Sequence, residues 1–126
     1  VQVGTRFLVA DECTVSDEYK DRVLKAKDIS TVATGRKFGH PVRCLKTPFS
    51  NEYARLEKEG ASEQELNELG TGALRKAAKE GDYEHGSFLC GQIAGMVTKR
   101  EPAAAIVDDL MDGAEHVLKE ATKWVR

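Results

Sequence analysis

The sequence predicts an α/β fold that is mostly helical over this stretch, and three observations carry that prediction. The opening Val1-Gln2-Val3-Gly4 is a short β-branched run that ends on glycine, the form of a buried strand leading to a ligand. Its valines need cover on both faces and both edges, as a parallel strand inside an α/β protein has. Elsewhere apolar residues recur at helical spacing, in Tyr19, Val23, Leu24 and Ala26, in Leu66, Leu69, Leu74 and Ala77, and along a closing segment from Ile106 to Val125. A chain that begins on such a strand, with no cap or turn before it, reads as the C-terminal part of a larger protein.

Arg6-Phe7-Leu8-Val9-Ala10 is expected to continue the opening strand to a change of direction at Asp11 and Glu12. Thr14 or Ser16 then caps a helix over residues 16 to 26. Ile29, Thr31, Val32 and Thr34 favour extended structure, Gly35, Gly39 and Pro41 punctuate it, and Val42 and Leu45 suggest a second short extended piece. Pro48 lies near the next helix start, with Ser50 as the cap for Asn51 to Glu59 and Gly60 as the stop. Ser62-Glu63-Gln64-Glu65 is a capping-box sequence. It opens two short helices, or one broken helix, that end at Gly81. In Gly86 to Val97, the most apolar segment, Gly91 and Gly95 lie one turn apart if it is helical, which clears one stripe for close approach. The final helix starts at Pro102 and carries Ile106, Val107, Leu110, Ala114, Val117, Leu118, Ala121, Trp124 and Val125 on one wide apolar face.

Composition narrows the function classes. Over 126 residues, 40% are apolar and 32% charged, the balance of a soluble globular domain. The 19 Lys and Arg stand against 21 Asp and Glu, interspersed, for a net charge of -2. That pattern argues against a nucleic-acid or membrane-surface protein. No apolar run approaches the roughly 18 to 20 residues a spanning helix needs. Cys13, Cys44 and Cys90 are widely spaced and read as free thiols in a reducing, cytoplasmic compartment. His85 and His116 share no metal-ligand spacing with each other or with cysteine, so no metal is expected.

The chemistry-bearing stretch is Gly4-Thr5. A glycine at the C-terminal end of a strand leaves backbone amides free for phosphate oxygens, and Thr5 can add its hydroxyl. A tight strand exit that needs glycine is the other reading. Gln92, set among glycine and apolar residues, needs a partner for its amide: a bound ligand, or the backbone of a neighbouring loop. His40 invites a general-acid role, and Arg36 and Arg43 invite phosphate contact or carboxylate pairing.

Val1-Gln2-Val3-Gly4-Thr5-Arg6-Phe7, Thr34-Gly35-Arg36 with Gly39-His40-Pro41-Val42-Arg43, Gly72-Ala73-Leu74, and Gly91-Gln92-Ile93-Ala94-Gly95-Met96-Val97 occur in one order along the chain. Together they resemble the C-terminal portion of the bacterial flavin-dependent enoyl-acyl-carrier-protein reductases, the type II enzymes of fatty-acid synthesis. The nitronate monooxygenases, also called 2-nitropropane dioxygenases, belong to the same superfamily. The resemblance covers essentially the whole chain.

It implies the C-terminal part of a TIM (β/α)8 barrel with an inserted helical subdomain. Residues 1–10 would be the last barrel strand and phosphate-binding turn, 11–85 the insertion, and 86–126 a glycine-rich flavin-side segment with the closing barrel helix. The closing helix, if it normally packs on the barrel, would expose an apolar surface in this piece alone. The resemblance gives Gln2, Val3, Gly4 and Thr5 the FMN phosphate and Gln92 a place beside the flavin. It also implies NAD(P)H as reductant and an enoyl thioester on acyl carrier protein as partner, and it allows a homodimer. The family's proposed catalytic histidine sits in a Gly-Gly-His motif absent from this sequence, so no catalytic residue falls here; the strands that would hold the flavin ring are also missing from it, so the fragment alone should be inactive. Gly39-His40-Pro41-Val42-Arg43 resembles the reductases more than the monooxygenases. A non-enzymatic helical module, with Gly91 and Gly95 serving only helix packing, is the remaining alternative.

Overall fold

A computed structural model describes residues 1–124. The opening run has no neighbouring strand to pair with, and residues 1–4 form no regular element. Backbone groups without a ladder partner turn elsewhere. Here the chain enters a short helix, α1 (Thr5–Leu8), with Gly4 at its N-cap. The expected strand over the first residues, and its continuation through Arg6 and Ala10, are corrected accordingly.

α2 (Asp17–Leu24) begins where its cap predicts, the Ser16 hydroxyl accepting from the Tyr19 amide at 3.3 Å. The extended stretch forms a hairpin, β1 (Thr31–Thr34) antiparallel to β2 (Val42–Leu45), with Thr31 opposite Leu45 and Thr34 opposite Val42. Gly35 turns it with φ 75°, and the His40 carbonyl oxygen lies 2.4 Å from where a Cβ would stand. No other residue fits that corner.

α3 (Pro48–Glu59) is capped by Thr47 rather than by Ser50. Ser50 occupies the third helical position, where its amide donates to Thr47 Oγ1 at 3.2 Å and its own Oγ accepts from the Thr47 amide at 2.8 Å. This is a reciprocal capping box. Gly60 ends the helix in the left-handed conformation, and the Ser62/Glu65 box opens α4 (Glu63–Gly70) as predicted. α5 (Ala73–Arg75) widens into a π turn over Lys76–Glu80 that stops at Gly81. Carbonyls at a helix end lack internal partners. Ser16 takes two of them, its Oγ donating to Ala77 at 2.9 Å and its amide to Ala78 at 2.7 Å.

Residues 86–97, where Gly91 and Gly95 would lie one turn apart if the segment were helical, are irregular up to Gly91, with a single bridge from Leu89 to Cys44, and then form a 3-10 turn at Gln92–Met96 rather than an α-helix. The reason is tertiary: the Lys27 carbonyl carbon lies 2.6 Å from the Cβ position of Gly95. A backbone is pressed against this turn, as close approach at glycine allows. α6 (Ala103–Ala121) follows Pro102 as expected and ends in a 3-10 turn at Thr122–Trp124. Ile106 is buried, while Val107, Leu110, Val117, Leu118 and Trp124 are exposed. Val125 lies outside the described residues. The closing helix does present an apolar surface.

The core gathers Val9, Tyr19, Val23, Leu45, Ala77, Phe88, Ala94 and Val97. Tyr19 and Phe88 pack with ring centroids 4.8 Å apart, and the buried Tyr19 hydroxyl donates to the Leu89 carbonyl at 2.7 Å. Burying a side chain of Phe88's kind stabilises by about 2–3 kcal/mol. This core joins α1 to the extended segment before α6, and so fixes both walls of the cleft described next.

Candidate functional site

A cleft of about 910 Å³ opens between residues 2–6 on one side and Gly91, Ile93 and Met96 to Lys99 on the other, with Glu101 at its edge. Two bonds join the walls. Thr5, 7% exposed, accepts from the Gly91 amide through its Oγ1 at 2.7 Å. Since a hydroxyl holds one proton and two lone pairs, Thr5 keeps its proton to donate. Arg6 makes the second bond, its Nε and Nη2 donating to Glu101 Oε1 at 3.1 and 2.8 Å, while Nη1 reaches Asp109 on α6 at 2.7 Å.

Lys99 closes the charge cluster, 2.7 Å from Glu101 Oε2. The Lys99 ammonium, then the Arg6 guanidinium, hold the Glu101 carboxyl below the usual glutamate range. Arg6 is held charged by the same carboxylates, Glu101 first. Both guanidinium edges are therefore committed to carboxylates, and Arg6 acts as a clamp between α1 and α6 rather than as a free anion contact.

Gly4 lines the cleft with backbone angles, φ -103° and ψ -59°, that any residue adopts. A Cβ built there meets nothing within 4 Å. Neither strain nor packing inside the chain requires glycine at this position. What glycine preserves is open space on the cleft floor. The amides of Thr5, Arg6 and Phe7 stand in the first turn of α1, ahead of the Leu8 amide that bonds the Gly4 carbonyl, and have no intrahelical acceptor. Free amides beside an unobstructed floor and a hydroxyl donor suit a phosphate.

The structure thus brings Gln2, Val3, Gly4 and Thr5 to one cleft. Gln92 is exposed and stands between two lining residues, Gly91 and Ile93, without itself lining the cleft. His40 and Arg36 are exposed around the hairpin tip, and Arg43 donates across the strands to Thr31 Oγ1 at 2.9 Å. None of the three lines the cleft. His85 sits 3.0 Å from Asp82, and among the described residues no three His, Cys, Asp or Glu side chains gather to hold a metal. Met96, Thr98, Lys99 and Glu101 are the contributions sequence reasoning missed; the one signal was a Lys-Arg-Glu run directly after the most apolar segment.

The nitronate monooxygenase family model matches residues 1–113. The chain belongs to the nitronate monooxygenase family. Among curated members, a probable nitronate monooxygenase of Staphylococcus saprophyticus is 30% identical over 119 residues, which cover 94% of this chain and 33% of that protein. One from Staphylococcus aureus is 29% identical over the same shares of the two chains. Among solved structures, FabK from Thermotoga maritima superposes with a TM-score of 0.91 at 37% identity, covering 99% of this chain and 40% of that one. The chain spans about a third of the length of the curated relatives it matches. The fold of this family member is thereby shown to be part of a (β/α)8 barrel protein, mostly helical over the part compared. No helix among the described residues is long and apolar enough to cross a membrane.

Proposed function

We propose that this chain supplies the phosphate end of an FMN site in a flavin-dependent oxidoreductase, and that the enzyme reduces a trans-2-enoyl thioester carried on acyl carrier protein with NAD(P)H. The observation that carries the first half is Gly4. Its missing side chain serves nothing within the chain and leaves the cleft floor open beside Thr5 and Arg6, whose amides have no intrahelical acceptor. A flavin phosphate fits that donor set.

In this reading the Thr5 hydroxyl donates to a phosphate oxygen while Gly91 holds it in place. Val3, Ile93, Met96 and Val97 give the same cleft apolar wall that excludes water from the ribityl side. The Arg6 clamp to Glu101 and Asp109 keeps α1 seated. FMN, when bound, would supply a two-electron carrier able to accept hydride from a nicotinamide and pass it on. The second half, enoyl reduction, is favoured by the 37% identity to FabK against 30% to the staphylococcal nitronate monooxygenases. Nitronate oxidation is the second reading, favoured by the family model and the curated relatives' names.

The test uses the intact protein that contains this chain. Flavin absorbance in the purified enzyme, lost in Gly4→Asp, is expected. Absence of flavin, together with no FMN binding on titration, would sink the enzyme reading and favour a helical interaction module. NADH or NADPH oxidation that depends on a crotonyl thioester supports the reductase; oxygen uptake that depends on an alkyl nitronate, without thioester reduction, selects the second reading.

A further inference from the structure

A second cavity, of about 180 Å³, lies away from the flavin cleft and shares no residue with it. Arg22 and Lys25 at the end of α2, Ser30 before β1, Leu45 and Lys46 at the end of β2, and Tyr83 form its walls. Three cations border one small space. Like charges so placed repel unless an anion lies between them. Glu18, 2.5 Å from Arg22, is the one carboxylate paired with any of the three among the described residues.

Arg22 carries a second sign. Its guanidinium carbon stands 3.4 Å over the centre of the Tyr83 ring. Its Nε is buried and has no hydrogen-bond partner, the only such side-chain atom among the described residues. A buried donor left unpaired is costly, so a missing acceptor is its simplest account. Ser30 adds a donor: its Oγ accepts from the Lys27 amide at 2.8 Å, and the hydroxyl proton is left over. The Lys46 amide donates to the Ser30 carbonyl at 2.8 Å and holds the two sides together. Leu45, 5% exposed, and Tyr83 give an apolar side.

We infer that this cavity binds a phosphate group, inorganic or carried on a small organic molecule. The side chains of Arg22, Lys25 and Lys46 at its rim, with the Ser30 hydroxyl, offer more donors than the two oxygens of a carboxylate can use, and suit a tetrahedral dianion. The volume is below the roughly 300 Å³ at which ordinary ligand pockets begin, so the site holds a phosphate with at most a short organic arm, not a nucleotide. The site is independent of the flavin reading.

The experiment is a 31P NMR titration of the intact protein saturated with FMN, using inorganic phosphate and phenyl phosphate at constant ionic strength. Saturable binding is expected, weakened at least tenfold in Lys25→Gln/Lys46→Gln, whose side chains are exposed, and retained in Gly4→Asp titrated without FMN. Tighter binding of phenyl phosphate identifies an organic phosphate lying on Tyr83 as the occupant; equal binding identifies inorganic phosphate. No saturable binding, binding unchanged in the double lysine variant, or binding lost only in Gly4→Asp would each overturn the inference.

Discussion

Gly95→Ala gives the sharpest test of how the second wall of the cleft is built. A Cβ at residue 95 would lie 2.6 Å from the Lys27 carbonyl carbon and 2.7 Å from the Asp28 nitrogen. Both are backbone atoms, and neither can swing aside as the tip of a long side chain would. Reaching ordinary contact requires the 3-10 turn and the segment after α2 to part by about 0.8 Å, an overpacking whose cost sits near the upper end of the usual 1–3 kcal/mol. Alanine recovers about 0.5–1 kcal/mol of backbone entropy, which leaves a net loss of about 2 kcal/mol. Gly113→Ala is the matched control: it lies in α6 with nothing within 4 Å of its Cβ position and should gain about 0.5–1 kcal/mol. Urea unfolding of the intact protein, followed by circular dichroism, measures both. If Gly95→Ala matches the parent within about 0.5 kcal/mol, the pressed contact does not exist as described and the account of the turn fails.

Three further outcomes are expected. Thr5→Val strands the Gly91 amide and should cost about 1–3 kcal/mol, with weaker FMN binding by fluorescence quenching; unchanged affinity would remove Thr5 from the cleft's function. Glu101 has a carboxyl held below its ordinary value by Lys99 and Arg6, so the stability it contributes is present above pH 4.5 and is lost as pH falls through the lowered native value. Glu101→Gln should therefore flatten the acid side of the stability profile, read as unfolding midpoints between pH 3 and pH 6 (roughly the carboxylate range), and a parallel profile would refute the pairing. Burial pushes the Cys44 and Cys90 thiols up to about 11 and about 12, so iodoacetamide at pH 8 should label half-buried Cys13 long before either, as peptide mass mapping would show.

Sequence told most where structure is decided locally. Ser16, the Ser62/Glu65 box, Gly60 and Gly81 set their helix ends through atoms three to five residues away, and each was readable. Ser50 was misassigned because a capping box has two hydroxyls, and the pattern alone favoured the wrong one over Thr47. The opening strand failed for the opposite reason: pairing partners make a strand, and Val1 and Val3 have none here. The sequence leaves open whether Gly91 and Gly95 share a helix, and the 3-10 turn at Gln92–Met96 is set by the Lys27–Asp28 backbone pressed on Gly95, which no local pattern reports. Gly4 and Thr5 were legible as residues of one site, and both line the cleft. The pairing of Thr5 with Gly91, and of Arg6 and Lys99 with Glu101, was not, because charge and hydroxyl pairing across the fold leaves no spacing in the sequence.

The two bonds that close the cleft join residues 86 and 95 positions apart, Thr5 with Gly91 and Arg6 with Glu101. Closing loops of that length carries an entropy cost that falls before any contact repays it, and distant pairings of this kind slow folding. The helices and hairpin between the two walls shorten the effective span once formed, so the intervening segment organises first and the cleft last. The cleft is thus the part of the molecule whose assembly waits on all the rest.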